Sequence, residues 1–433
     1  MHYSPYSIAI LGFGVEGQDA ARYFLGQKSK SIVVFDKKPQ EEVVGSGWWD
    51  TGMEWVCGPD YLKGGIKGFD IIVRSPGFYR YLPEIVEAEK EGAKITSNTI
   101  LFFEESEANI IGITGTKGKG TTAQMLKLAL EAGGKKVLLM GNIGTPMLNR
   151  IDDADTFDWV ILELSSFQLI DLPYSPPIAV VTNIKTDHLN WHKDREEYVN
   201  AKKNLWTHQK PTDWVIFNKD DETSVELAKN APGHVIWFNA GDRESKVNWE
   251  NLGVIGKHNM ANANAALTTA KVAGVDEVSA RQGISKFKGA EHRMESVGAI
   301  DEVEYINDSA ATTPEAAIAA LESFEQTKIL IAGGSLKGVA FKAYAEAIKE
   351  NKVKAVFLIG ESAKKIYTDL QTAGYKGQIY TDFEDMGSIV RKAHEIAESG
   401  DMVLLSPACA SFGLFKDYKD RGEKFKEEIR NLR

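Results

Sequence analysis

Two lysines set among three glycines, in the stretch Gly115-Thr-Lys-Gly-Lys-Gly-Thr-Thr122, are the residues of this chain best suited to holding phosphate. Gly115, Gly118 and Gly120 let the backbone approach an anion with no side chain in the way, so that several N–H groups converge on one point. Lys119 adds a mobile positive charge for the outer phosphates, and the hydroxyl of Thr121 can face Mg²⁺. Thr116, Lys117 and Thr122 complete the expected cradle. The spacing departs from the common phosphate-loop pattern. Gly112 lies one residue too far upstream, and Gly120 stands directly after the lysine, where Ser or Thr is usual. The metal-facing hydroxyl is therefore assigned to Thr121.

Such a loop works only between a strand and a helix. Ile110, Ile111 and Ile113 form the apolar run of a buried parallel strand, and Thr121 to Glu131 has the pattern of an amphipathic helix. The helix dipole then favours an anion at its N-terminus. The same alternation recurs along the chain. Ile8 to Leu11, Ile32 to Phe35 and Ile71 to Val73 read as strands, with helical segments at Gln18 to Leu25 and Pro83 to Glu91. A second set follows at Lys136 to Met140, Trp159 to Leu162 and Ile178 to Thr182. A third lies at Glu304 to Asn307, Lys328 to Ala332, Ala355 to Ile359 and Met402 to Leu405. The expected architecture is α/β in three domains. These are an N-terminal Rossmann-like domain over 1–105, a central P-loop-type ATPase domain over 106–294 and a C-terminal Rossmann-like domain over 295–433.

Length and charge agree with that plan. At 433 residues the chain is too long for one ordinary core. A formal charge of −10 argues against nucleic-acid or anionic-membrane partners and makes a local lysine cluster more telling. Cys57 and Cys409 lie far apart and read as small buried residues of a reducing compartment. No run approaches the ~18 apolar residues of a membrane span, and no signal segment is evident. A cytoplasmic, monomeric protein is expected.

A second glycine cluster, Gly12-Phe-Gly-Val-Glu-Gly17, follows the first strand, and Asp36 ends the second. Alone, this dinucleotide fingerprint suggests an NAD-dependent oxidoreductase. Its physics is the cradling of a diphosphate at a helix N-terminus, which serves a UDP-sugar equally well. Gly14, Val15 and Glu16 of the turn, with Asp36, Lys37, Ser75 and Gly77, are taken to line that pocket.

Further segments give the chain a resemblance. They are Gly141-Asn-Ile-Gly144, Glu163-Leu-Ser-Ser-Phe-Gln168, Thr186-Asp-His188, Ala201-Lys202, Gly256-Lys-His-Asn-Met-Ala-Asn262, His292-Arg293, Asn307-Asp308-Ser309, Gly333-Gly-Ser-Leu-Lys337 and Ser406-Pro-Ala-Cys-Ala-Ser411. In this order, over nearly the whole chain, they resemble the Mur ligases, ATP-dependent amide-forming enzymes. The nearest branch is the one that adds D-glutamate to UDP-MurNAc-L-alanine in cytoplasmic peptidoglycan precursor synthesis, a process that supports cell shape and division.

The resemblance implies a role for each segment. Amide formation from a carboxylate proceeds through an acyl phosphate, so several anionic groups must be gathered and neutralised. Lys119, Glu163, His188 and Lys202 are the expected catalytic set. Thr121, Glu163, His188 and a carbamylated Lys202 are expected to hold two Mg²⁺ ions. Asn259 and Asn262 would lie beside adenine, and Arg293 and Asp308 would reach ATP. Asn142, Ser165 and Gln168 would contact the nucleotide-sugar. Thr313, Lys337, Ser411 and Tyr418 would hold glutamate, with Tyr418 in place of an expected Phe. One departure stands out. The family's Asn-Asp-Ser-Lys-Ala-Thr-Asn is here Asn307-Asp-Ser-Ala-Ala-Thr-Thr313, without the lysine at Ala310. Lys117, an extra cation, can compensate, or the change marks a branch using another amino acid such as L-glutamate. A non-catalytic nucleotide-binding module remains as a rival, against which the four retained catalytic residues argue.

Overall fold

The computed structural model describes residues 3–432 except 45–47, 49, 144, 242–256, 288, 290, 336–339, 384 and 412–414. Short apolar runs, each too hydrophobic to leave one face in water, assemble into three sheets flanked by helices. The first comprises β1 (Ser7–Leu11), β2 (Ser31–Asp36), β3 (Glu54–Cys57), β4 (Ile71–Arg74) and β5 (Lys94–Thr96) in the order β3-β2-β1-β4-β5, all parallel. The second comprises β6 (Ile110–Thr114), β7 (Val137–Gly141), β8 (Trp159–Glu163), β9 (Ile178–Val181), β10 (Trp214–Asn218) and β11 (His234–Phe238) in the order β11-β10-β9-β6-β8-β7, also parallel. The third comprises β12 (Glu295–Ile300), β13 (Val303–Asn307), β14 (Lys328–Gly333), β15 (Val353–Ile359), β16 (Gln378–Tyr380) and β17 (Met402–Leu405) in the order β12-β13-β17-β14-β15-β16. Its edge strand β12 is antiparallel to β13, which a purely parallel reading missed.

The chain divides into two compact units. Met1–Val247 with Met260–Ile284 carries the first two sheets, and the third sheet lies in the unit that includes Ser285–Arg433. Every residue of β6 is buried. Its Ile110, Ile111 and Ile113 each contribute roughly 1.5–3 kcal/mol by leaving water. Gly112 is explained here rather than in the phosphate loop: a Cβ at that position would lie 2.6 Å from Leu205 Cδ1 and 2.9 Å from Pro176 Cγ. The phosphate-loop helix runs Lys119–Ala132, two residues earlier than the apolar pattern indicates. The helix expected from Asn262 begins five residues sooner, as Lys257–Val272. Strands β3, β5, β10, β11 and β16 were not anticipated either. They are short or carry mixed residues at sheet margins, as in Glu-Trp-Val-Cys57.

In open parallel sheets, ligands collect beyond the carboxyl ends of strands where the chain order reverses. In the first sheet that point lies between β1 and β4. In the second it falls at β6, flanked by β8 and β9. In the third it falls at β17, flanked by β13 and β14.

Candidate active site

The phosphate loop leaves β6 over a floor supplied by the segment after β9. Gly115 adopts φ +149°, and any Cβ there would collide with Thr182 Oγ1. Thr116 N–H donates to Asn183 O at 2.8 Å. Thr182 Oγ1 and Asn183 Nδ2 both donate to Lys117 O, at 2.7 and 2.8 Å. Gly118 is left-handed, φ +84°, and serves as the N-cap of the helix with no side chain capping it. A Cβ on Gly118 would strike Asn262 Oδ1, so the loop and the Lys257–Val272 helix meet at this glycine. Asn262 thus packs on the phosphate loop. Asn259 is buried one turn earlier. Gly120 has no such constraint, since its Cβ would find only Ile143 at 3.7 Å. Thr122 is buried and its Oγ1 donates to Asn262 Oδ1 at 3.4 Å, which leaves Thr121 as the half-buried hydroxyl of this turn.

Three of the four expected catalytic side chains converge beneath the loop. Lys119 Nζ donates to Thr116 O at 3.1 Å and lies 3.9 Å from Glu163 Oε1. Glu163 ends β8, which pairs with β6 at Ile113, and is 2% exposed. Lys202, also 2% exposed, projects from the helix Arg195–Thr207 and donates to Gly115 O at 2.7 Å. Burial above all, then the neighbouring Lys119 ammonium, holds the Lys202 amine well below the ordinary lysine range, against the weaker opposing pull of Glu163 and Asp187. The fourth, His188, is exposed and left-handed at φ +53°, with its ring 4.8 Å from that of Phe167. Its loop is anchored by Lys185 N–H donating to Thr116 Oγ1 at 2.9 Å and by Ile184 N–H donating to Asp221 Oδ2 at 3.0 Å. The donor set suits Mg²⁺ in part: a buried carboxylate and a hydroxyl are hard oxygen ligands. A lysine amine supplies no oxygen, so Lys202 fits a cation only once it carries an added carboxylate.

Residues outside the sequence expectations complete this region. Tyr198 Oη lies 2.8 Å from Thr116 Oγ1, and its ring sits 4.8 Å from Lys202 Nζ. Its position four residues before Lys202, on one helical face, was a readable signal. His192 bridges Ser166 Oγ at 2.9 Å and Glu197 Oε2 at 3.3 Å, and Glu197 also accepts from Tyr79 Oη at 2.6 Å. Burial lowers the His192 pKa, so the ring is neutral. No sequence motif marked it.

The first glycine turn is closed by its own chain. Phe13 N–H donates to Asp36 Oδ2 at 2.9 Å and Lys38 N–H to Asp36 Oδ1 at 3.0 Å. Ser75 Oγ donates to Gly12 O at 3.1 Å, and a Cβ on Gly17 would collide with that same carbonyl. Asp36 therefore shapes the turn through the backbone. Gly14 caps the helix Val15–Gly26 without a side-chain bond, and Val15 is 70% exposed beside it. Lys37 and Gly77 are both exposed. Glu16 points inward: its Oε1 accepts from Gln168 Nε2 at 2.8 Å, while Oε2 is sealed from water without a partner. Burial pushes its pKa up to about 7, against the Gln168 hydrogen bond and the Arg74 charge. Ser165 and Gln168 form a capping box on the turn after Glu163. Asn142 is exposed, its N–H donating to Glu163 O at 2.8 Å. Arg74, fully buried, ties the β4 end to Phe167 O at 3.0 Å and Asp171 Oδ1 at 2.8 Å.

In the second unit, Asp308 accepts from Ser406 Oγ at 2.7 Å and from Met294 N–H at 3.2 Å. Burial raises its pKa to about 7, opposed by those hydrogen bonds and by Arg293 and Arg421. Arg293 is exposed. Ala310 donates its N–H to His292 O at 2.8 Å. Thr313 caps the helix Pro314–Glu322. Ser411 is buried, and Tyr418, 37% exposed, begins the last helix, Tyr418–Asn431. Lys337 lies outside the described residues, as do Gly144 and Gly256.

Residues 113–270 match the model of the Mur ligase middle domain, and residues 292–409 that of the Mur ligase glutamate ligase domain. The UDP-N-acetylmuramoylalanine–D-glutamate ligase of Acetivibrio thermocellus is 36% identical, with 98% of this chain and 96% of the relative covered. The chain belongs to the Mur ligase family. The enzyme of the same name from Symbiobacterium thermophilum is also 36% identical to this Mur ligase, with 98% of each chain covered. Among solved structures, UDP-N-acetylmuramate–alanine ligase MurC of Thermotoga maritima matches the fold with a TM-score of 0.57 at 18% identity, over 99% of this chain and 100% of that one. MurF ligase of Thermotoga maritima, in complex with ADP, has a TM-score of 0.57 at 17% identity, over 98% and 95%. The three-domain Mur ligase fold follows, and the dinucleotide-type turn at Gly12 belongs to that fold.

Proposed function

We propose that this Mur ligase joins D-glutamate to UDP-MurNAc-L-alanine, with ATP cleaved to ADP and phosphate, in peptidoglycan precursor synthesis in the cytoplasm. The observation that carries the reading is the convergence of Lys119, Glu163 and Lys202 under a glycine loop, in a chain 36% identical over its length to ligases of that name. The terminal carboxylate of the nucleotide-sugar attacks the γ-phosphorus of ATP, giving an acyl phosphate and ADP. The glutamate amine then attacks the acyl carbon, phosphate departs, and the amine proton is lost. Lys119 meets the γ-phosphate as charge moves onto it, and the N–H groups of the Lys119–Ala132 helix hold the inner phosphates. Thr121 and Glu163 are the residues that would hold Mg²⁺, which would supply neutralisation of the phosphate charge.

Lys202 is read as carbamylated: its neutral amine adds to CO₂, forming an N–C bond and releasing a proton. The product reverses the charge of the side chain and, with His188, can hold a second cation. In this reading the nucleotide-sugar occupies residues 1–105, ATP residues 106–294 and glutamate residues 295–433. Gly14 to Glu16, Ser75 and Asn142 serve the first, Asn259, Asn262, Arg293 and Asp308 the second, and Thr313, Lys337, Ser411 and Tyr418 the third. The enzyme acts as a monomer.

The test is ADP release by the purified protein with UDP-MurNAc-L-alanine and, separately, D-Glu, L-Glu, D-Asp, L-Ala and L-Lys. Release dependent on D-Glu is expected. Preference for L-Glu would overturn the stereochemical assignment, and release with none of the five would overturn the substrate reading.

A further inference from the structure

Arg421 is fully buried, yet every hydrogen bond its guanidinium makes among the described residues goes to a neutral group. Nε donates to Ser309 Oγ at 2.9 Å. Nη2 donates to Ser309 O at 2.8 Å and to Cys409 O at 3.1 Å. Nη1 reaches Gly333 O at 3.5 Å. A guanidinium taken out of water is costly unless a carboxylate answers it, and none of the described carboxylates lies within ion-pair distance. The groups that favour its charge are the Cys409 thiol first and then Asp308, whose own pKa burial raises to about 7, so that it carries only part of a charge at neutral pH. Burial lowers the Arg421 pKa only to about 10, so the charge persists at neutral pH.

The three carbonyls are not scattered. Ser309, Gly333 and Cys409 stand at or just past the carboxyl ends of β13, β14 and β17, adjacent strands at the crossover of the third sheet. That is the rim where such sheets take ligands. Ser309 Oγ, having accepted from Arg421, donates to Tyr418 O at 2.8 Å, which fixes the start of the final helix. The loops after β14 and β17 are further joined by Ser335 N–H donating to Ala410 O at 2.8 Å. One side chain thus draws together every turn that borders the crossover.

We propose that Arg421 is the positioning residue of the amino-acid site: it clamps the turns after β13, β14 and β17 into one cradle and gives that cradle the net positive charge a dicarboxylate ligand needs. The proposal rests on the reading that the third sheet binds glutamate. Charge and clamp are separable. Arg421→Lys keeps the charge and loses the fork, whereas Arg421→Gln keeps two donors and loses the charge.

With the full-length enzyme, wild-type ADP release with D-glutamate is measured first, and its absence sinks the functional reading itself. Given that activity, Arg421→Gln should raise the KM for D-glutamate tenfold or more, with those for ATP and UDP-MurNAc-L-alanine within about twofold. Arg421→Lys should recover part of the loss. Discrimination between D-glutamate and its neutral analogue D-glutamine should shrink in Arg421→Gln, a readout that a purely structural role would not move. Equal rises in all three KM values, or unchanged discrimination, would overturn the proposal. Should Arg421→Gln fail to melt cooperatively, Ser309→Ala removes the Nε acceptor together with the donor to Tyr418 O, and leaves the Arg421 charge in place. It should raise the D-glutamate KM severalfold, and a wild-type value would overturn the proposal.

Discussion

Replacing Glu16 with glutamine removes a carboxyl group that folding drives toward its neutral form. Its Oε1 accepts from Gln168 Nε2 at 2.8 Å, Oε2 is sealed from water, and the pKa rises from the usual 4.5 to about 7. The residue as a whole is only half-buried, but the sealed oxygen decides the solvation of the charge. In sign, the folded state binds the proton more tightly than the unfolded chain. Below about pH 4.5 both states carry it and nothing is lost. Between 4.5 and about 7 stability falls as pH rises, and above about 7 the full cost applies. That cost is roughly 3 kcal/mol, taking 1.36 kcal/mol for each tenfold change in affinity. Glutamine keeps an acceptor for Gln168 and never ionises. At pH 5, Glu16→Gln should therefore melt within a degree or two of wild type. At pH 8.5 it should melt higher by about 6 °C, at roughly 2 °C per kcal/mol for a unit of this size. The assay is thermal unfolding by circular dichroism across that range, reading the first transition of the chain. Asp308 gives the wild type and the variant the same pH trend, so the difference between them isolates Glu16. A melting difference that does not change from pH 5 to pH 8.5 would refute the argument.

Lys119→Ala should lower kcat roughly 10²–10³-fold with little change in melting temperature, because Lys119 serves transferring phosphate rather than the core. Near-normal turnover by a folded variant would remove it from the site. Lys202→Ala should be nearly inactive, and formate or acetate should restore part of the activity by filling the anionic position. An intact-protein mass lacking the added CO₂ under bicarbonate, with no restoration by carboxylates, would exclude carbamylation.

Local sequence was enough to read much of the frame. Runs such as Ile110-Ile-Gly-Ile113 bury both faces whatever surrounds them, so the central strands of each sheet were visible from composition alone. The marginal strands were not, since Glu54-Trp-Val-Cys57 becomes a strand only because β2 offers it a partner. Helix starts slipped for a similar reason. The Lys119–Ala132 helix begins where Gly118 turns left-handed, and no apolar period records that event.

What the sequence by itself determined are the groups whose chemistry is local: the glycines that free backbone N–H groups, Lys119 beside them, the carboxylate at the end of β8, and the order of the Mur ligase segments. What only the tertiary structure decided is the state of those groups and their company. Lys202 is an ordinary lysine in sequence, and its amine is held well below the ordinary lysine range because the fold buries it beside Lys119 under Gly115 O. Glu16 and Asp308 are likewise turned toward acids of pKa about 7 by exclusion of water. Arg421, in the unremarkable run Asp417-Tyr-Lys-Asp-Arg421, acquires its role only when three distant turns bring their carbonyls to it. Charge state depends on solvation and on neighbours through space, and neither is written in adjacent residues.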